Sequence, residues 1–193
     1  MKKILMIVGS LRKNSFNLRL AAEIESIVGE RASFSYLNIS ALPYMNQDLE
    51  FPPPESVSRA RSAVLEADGI WICSPEYNHS IPGVLKNALD WLSRPMNADR
   101  KGGSAIRGKP VTFSCAAGRS GAGYVRPALR DFAEATSMRL VCGEGTGVSL
   151  DAEAYRSDIL SLSGEIRAQL AAQAEEFLAA LSTATRDGGS KKL

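Results

Sequence analysis

Residues 3–17 read KILMIVGSLRKNSFN. The apolar run KILMIV has the length and the branched side chains of a strand, and it stops at Gly9. Beyond it, Ser10, Arg12, Ser15 and Asn17 supply hydroxyl, guanidinium and amide donors. Phe16, Leu20, Ile24 and Ile27 then recur at helical spacing until Gly29 offers a stop. Strand, polar loop and helix in that order form the first unit of a parallel α/β sheet.

The pattern repeats along the chain. Further strands are expected at 33–39 (SFSYLNI), 69–74 (GIWICS), 110–115 (PVTFSC) and, irregularly, 139–148 (RLVCGEGTGV). Helical patterns intervene: Val57, Ala60, Val64 and Leu65; Val84, Leu85, Ala88, Leu89 and Leu92 behind Pro82; Val125, Leu129, Phe132 and Ala133. A last helix over 156–181 would align Ile159, Leu162, Ile166, Leu170, Phe177 and Leu178. Strand starts lie about 30 to 40 residues apart, the room that right-handed βαβ crossovers need. The expected fold is therefore an α/β three-layer sandwich, a five-stranded parallel sheet with helices on both faces. Residues 1–182 read as one domain without repeat or linker. Residues 183–193, TATRDGGSKKL, lose the pattern and are expected to form a mobile tail.

Composition excludes several classes of function. A chain of 193 residues with 45% hydrophobic and 23% charged residues has the make-up of one globular core, not of a disordered or fibrous protein. A formal charge of +2 is too small for nucleic-acid binding unless it clusters. The basic run Arg94, Arg100, Lys101, Arg107 and Lys109 carries glycines and no interleaved aromatics, and reads as a solvated loop. Cys73, Cys115 and Cys142 lack metal or redox spacing and read as reduced, buried thiols, which fits a cytoplasmic setting. The apolar run after Lys2 and Lys3 is too short for a signal peptide or a membrane span.

Ligands of such sheets bind at the carboxyl ends of the strands, so the loops after strands one, three and four carry the function. In the first, backbone N–H groups entering the helix join the side-chain donors into a phosphate cradle; a helix start merely capped by Ser15 or Asn14 is the alternative. GSLRKN has neither the GxxxxGK[ST] of a P-loop nor GxGxxG, so side chains in place of glycines point to a terminal phosphate monoester. GRSGA at 118–122 approaches a nucleophile elbow but lacks its last glycine, and His79 precedes it, against the α/β-hydrolase order.

Three segments taken together, GSLRKNSFN (9–17), PEYN (75–78) and SIPGVLKNALDW (80–91), resemble the signature of the NADPH-dependent FMN reductase family. That flavodoxin-like group includes bacterial quinone, chromate and azo-dye reductases. The resemblance covers about residues 3 to 150 and implies the flavodoxin-like version of the fold, with FMN as cofactor and NADPH or NADH as co-substrate. It assigns Ser10, Arg12, Ser15 and Asn17 to the FMN phosphate, with Phe16 nearby through its backbone. Pro75, Glu76, Tyr77 and Asn78 fall to the isoalloxazine edge, and Ala117, Gly118 and Arg119 to the rest of the flavin pocket. No side chain is assigned as catalytic, since flavin N5 carries the hydride. Hydride would pass by a ping-pong route to a small-molecule acceptor such as a quinone, azo dye, chromate or free flavin. An FMN reductase that supplies a partner, and a flavodoxin-like electron carrier, are the alternatives.

Taken singly, Tyr77 is a loop aromatic, Glu76 a solvated carboxylate, Lys86 a surface charge, and Trp71 and Trp91 core residues. His79 is expected at the pocket rim or a subunit contact, and with Arg119 on the acceptor side. The resemblance also implies a homodimer or homotetramer, and Trp91 and Leu92 lie beside an apolar face that a partner could cover, with helix 156–181 as a competing contact.

Overall fold

Alternate residues of the first strand serve opposite helical layers. In the computed structural model, which describes residues 1–187 and side chains as far as Thr183, Ile4 and Met6 of β1 (Lys2–Val8) enter one core and Leu5 and Ile7 the other. Its two hydrogen-bonding edges are filled as well. β1 pairs in parallel with β2 (Ala32–Tyr36) and β3 (Gly69–Cys73), and β3 pairs with β4 (Pro110–Ala117). Every residue of β3 and β4 is buried, as central strands of a doubly covered sheet require. The spatial order β2-β1-β3-β4 turns back on itself between β1 and β3, which opens a crevice at their carboxyl ends.

The helices are α1 (Phe16–Val28), α2 (Glu55–Glu66), α3 (Gly83–Ser93), α4 (Val125–Ala135), α5 (Ala152–Ser157) and α6 (Gly164–Asp187). Apolar faces of α1 and α6 cover Ile4, Met6 and Trp71, whose indole meets Phe177 edge-on at 5.3 Å. Those of α2, α3 and α4 cover Leu5, Ile7, Ile70 and Ile72. Each fully buried side chain of this kind contributes about 1.5–3 kcal/mol. α1 begins where Ser15 accepts a hydrogen bond from the Asn17 N–H and ends at Gly29, whose φ of 59° favours glycine.

Four expectations are corrected. The fifth strand is two short pieces, β5 (Arg139–Leu140) and β6 (Thr146–Ser149), both paired with β4. Cys142, Gly143 and Gly145 have positive φ, and a Cβ on Gly145 would lie 1.8 Å from the Phe113 carbonyl oxygen, so the chain leaves the ladder there. Gln173 of α6 fills the gap. Its Nε2 donates to the Phe113 carbonyl (2.8 Å) and to the Thr112 hydroxyl (2.7 Å), while its Oε1 accepts from Ser114 (3.1 Å) and Thr146 (2.7 Å).

The helix expected over 156–181 is interrupted. α5 ends at Asp158, whose φ of 56° and ψ of 31° are left-handed, and α6 starts only at Gly164, leaving Ile159 exposed between them. At the other end α6 continues to Asp187, into the segment expected to be a tail; residues 188–193 lie outside the described residues.

The basic run is not simply solvated. Arg94 and Arg100 (3.6 Å) converge on the buried carboxylate of Glu50, and Lys109 Nζ donates to the carbonyls of Leu65 (2.9 Å) and Ala67 (2.5 Å) at the end of α2. Lys101 and Arg107 are exposed. Finally, Trp91 and Leu92 are fully buried within the chain, Trp91 donating to the Pro43 carbonyl at 2.8 Å, so they leave no apolar face for a partner. Trp71 is also a core residue, and the exposed Lys86 pairs with Asp90 at 2.7 Å. All three cysteines are free thiols; burial pushes the pKa of Cys115 up to about 12 and that of the half-buried Cys142 to about 11, and raises that of Cys73 well above the ordinary thiol value.

Candidate functional site

The crevice between the ends of β1 and β3 deepens into a cavity of about 260 Å³. Gly9 brings its walls together. It carries the ladder one step past β1 by donating to the Cys73 carbonyl (2.8 Å), and a Cβ on it would meet Leu85 and the Ser74 hydroxyl at 2.9 Å. Close approach, not a left-handed backbone, is what requires glycine here.

The loop from Ser10 to Ser15 folds onto itself. Ser10 Oγ accepts from the Arg12 N–H (3.3 Å), the Ser15 N–H donates to the Arg12 carbonyl (3.1 Å), and Ser15 Oγ caps the helix. Both hydroxyls keep their protons for a ligand, and the first turn of α1 leaves N–H groups without intrahelical acceptors. The Arg12 guanidinium lies 5.2 Å over the Phe16 ring.

Asn17 has another task. Its side chain is buried, with Nδ2 donating to the Ala116 carbonyl and Oδ1 accepting from the Ala116 N–H, both at 2.9 Å. This amide splices α1 to the end of β4, so its contribution to the cavity is to hold the first and third loops at a set distance.

The second loop turns sharply. Tyr77 and Ser80 exchange backbone hydrogen bonds (3.2 and 3.0 Å) around Asn78 and His79, whose φ values of 50° and 57° make a two-residue hairpin turn of the primed kind. Glu76 ties this loop to the next one by accepting from the N–H groups of Tyr124 (2.8 Å) and Val125 (2.9 Å) at the start of α4. Burial alone would raise the Glu76 pKa, but hydrogen bonds from Ser120, Val125 and Tyr124, with the nearby His79, hold it below the usual glutamate value. The exposed His79 ring stacks on Tyr124, with centroids 4.0 Å apart and planes 21° from parallel.

Ser10, Arg12, Ser15, Phe16, Asn17, Pro75, Glu76, Tyr77, Ala117 and Gly118 all line the cavity. Asn78, His79 and Arg119 do not line it and are exposed beyond its rim. Four lining residues escape a reading of the sequence: Ala116, Leu150, Tyr155 and Asp158. The last two sit on the α5 segment, which no motif marks. Leu150 returns the chain to the site by donating its N–H to the Ala117 carbonyl (2.7 Å), and Asp151 caps α5. Tyr155 then meets Phe16 edge-on at 5.7 Å, and Asp158 pairs with Arg12 and, at 3.7 Å, with Arg19. The Arg12 hydrogen bond, stronger than the opposing effect of burial, holds the Asp158 carboxyl below the usual aspartate range.

Known proteins resemble this chain in sequence and in fold. A 2-hydroxy-1,4-benzoquinone reductase of a Burkholderia species is 45% identical over 111 residues, 56% of this chain and 61% of that one. An NAD(P)H-dependent FMN reductase of Pseudomonas aeruginosa is 39% identical over 132 residues, 66% of this chain and 67% of that one. The chain spans 56% to 67% of the length of these curated relatives and of a quinone reductase of Pseudomonas putida. Among solved structures, the flavoenzyme NAD(P)H:(acceptor) oxidoreductase FerB of Paracoccus denitrificans superimposes with a TM-score of 0.82 at 29% identity, covering 95% of this chain and 98% of that one. The sheet is thus that of the flavodoxin-like proteins, and since the model of one family matches residues 2–149, the chain belongs to the NADPH-dependent FMN reductase family.

Proposed function

We propose that the chain is an FMN-dependent oxidoreductase that takes hydride from NADPH or NADH and delivers it to a quinone or a similar small acceptor. One observation carries this: at the β1/β3 crevice, hydroxyls, a guanidinium and a helix N-terminus converge on a single cavity, and an exposed aromatic turn stands beside it. That donor set suits a phosphate monoester. The chain even presents an anion of its own there, the Asp158 carboxylate on Arg12. The residues therefore fit FMN.

When bound, FMN supplies the two-electron chemistry, accepting hydride from a nicotinamide and giving it to the acceptor. The protein's part is to bind, orient and shield. Ser10, Ser15 and the first turn of α1 would hold the phosphate, with Arg12 as its counter-charge. Pro75 to Asn78, Ala117 and Gly118 would follow the ring, and Tyr77 and Tyr155 would flank the cavity mouth. His79, stacked on Tyr124, and Arg119 would meet the nicotinamide and the acceptor in turn, giving ping-pong kinetics. A homodimer or homotetramer and a cytoplasmic location accord with the family reading; among the described residues no helix is long and apolar enough to cross a membrane.

The test is direct. Purified protein should carry or take up one FMN in preference to FAD, and anaerobic mixing with NADPH should bleach the flavin, with recovery on adding a quinone. Stoichiometric FAD, or no NADPH oxidation with any quinone, would defeat the reading. Bleaching without recovery would favour a flavin-supplying reductase.

A further inference from the structure

Arg12, the cation of the proposed phosphate cradle, already has an anion. Asp158 reaches it from α5, three residues beyond Tyr155 on the same cavity wall, and is fixed there by the left-handed turn that ends the helix. Its second oxygen faces Arg19 at 3.7 Å. The side chains of Arg12 and Asp158 are 48% and 31% exposed, so the pair is open to exchange with a ligand. Two guanidinium groups and one carboxylate leave this corner with a single net positive charge. An entering phosphate monoester, close to a dianion at neutral pH, meets both the cations and the carboxylate that shares them.

We infer that Asp158 is an intramolecular competitor of the phosphate, an affinity-setting residue that occupies Arg12 when flavin leaves and must yield it when flavin binds. This rests on the FMN reading for the identity of the ligand, though not for the competition itself. Neutralising Asp158 removes one repulsive charge and frees Arg12 in advance, so phosphate-bearing ligands should bind tighter. Ligands lacking the phosphate should not respond.

The experiment compares the full wild-type chain, freed of flavin, with Asp158→Asn and Asp158→Gly, both of which tolerate the left-handed backbone. FMN and riboflavin are titrated by flavin fluorescence over a range of salt, and the thermal shift given by inorganic phosphate is measured in parallel. FMN affinity should rise about three- to tenfold in both variants, its salt dependence should steepen, and riboflavin affinity should stay unchanged. Unchanged or weaker FMN binding would overturn the inference, making Asp158 a positioning partner of Arg12. An equal change for both flavins would also overturn it, since α5 would then act through packing. If no form of the protein binds FMN, the FMN reading fails. The phosphate shift then decides: a larger shift in the variants upholds the competition for another phosphate ester, and an equal one ends it.

Discussion

At Arg12 and Asn17, polar side chains of the first loop and of the helix that follows it lead separate lives. Arg12→Ala should weaken FMN binding by about 1.5–3 kcal/mol, the range for a hydrogen bond to a charged group, and leave riboflavin almost unaffected. An equal loss for both, in flavin fluorescence titrations, would mean that the loop itself had collapsed. Asn17→Ala should instead unfold the protein more easily, by roughly 2–4 kcal/mol in urea denaturation, because the Ala116 N–H and carbonyl lose their partners in a buried place. The donor types of the first loop were legible in the sequence because a strand, a glycine and a helix pattern fix where the loop must lie. Asn17 shows what was not. Its residue type is right for a ligand, and only the packing of α1 on β4 shows that its amide is already spoken for. Asp158 was illegible for the opposite reason, since it reaches Arg12 across a sequence separation of 146 residues without any spacing rule.

Among the elements, strands and helices with strong periodicity emerged where hydrophobic spacing put them, from β1 to α4. The last third of the chain did not. A strand broken by Gly145 and mended by a side chain looks in sequence like one irregular strand, and the apolar residues on either side of Asp158 imitate a continuous helix. Gln173 is the residue that makes the break tolerable. Gln173→Leu keeps the volume but deprives the Phe113 carbonyl and the hydroxyls of Thr112, Ser114 and Thr146 of their shared partner. The expected cost is roughly 2–4 kcal/mol, read as a lower urea midpoint with an unchanged slope. FMN binding per folded molecule should persist, because the network lies under the sheet edge, away from the cavity. A midpoint equal to the wild type would show that the network is dispensable.

For the molecule as a whole, acid should loosen the joint between the second and third loops. Glu76 has a folded pKa below its ordinary value, so the unfolded chain binds the proton more readily. Its contribution is complete above the usual glutamate range, near 4.3, and is lost as pH falls through the lower folded value. Glu76→Gln should be less stable than wild type at neutral pH by an amount that shrinks below about pH 4. Thermal melts across pH 3 to 7 would reveal this, and a gap constant down to pH 3 would contradict it. Alkylation offers a second probe of the whole fold. Cys73 and Cys115 should resist iodoacetamide until global unfolding, whereas Cys142 should react through local opening of the segment around Gly143.

The broken margin beside β4 also governs how copies of this chain can meet. A sheet grows by recruiting a visiting strand along an uninterrupted row of free backbone groups. Here that border consists of Arg139–Leu140 and Thr146–Ser149, with left-handed residues between them and the Gln173 side chain of α6 filling the gap. A visitor would find no run of matching register long enough to hold it. That side is closed to fibre-like stacking, and lasting association on it must be made by helix and loop surfaces.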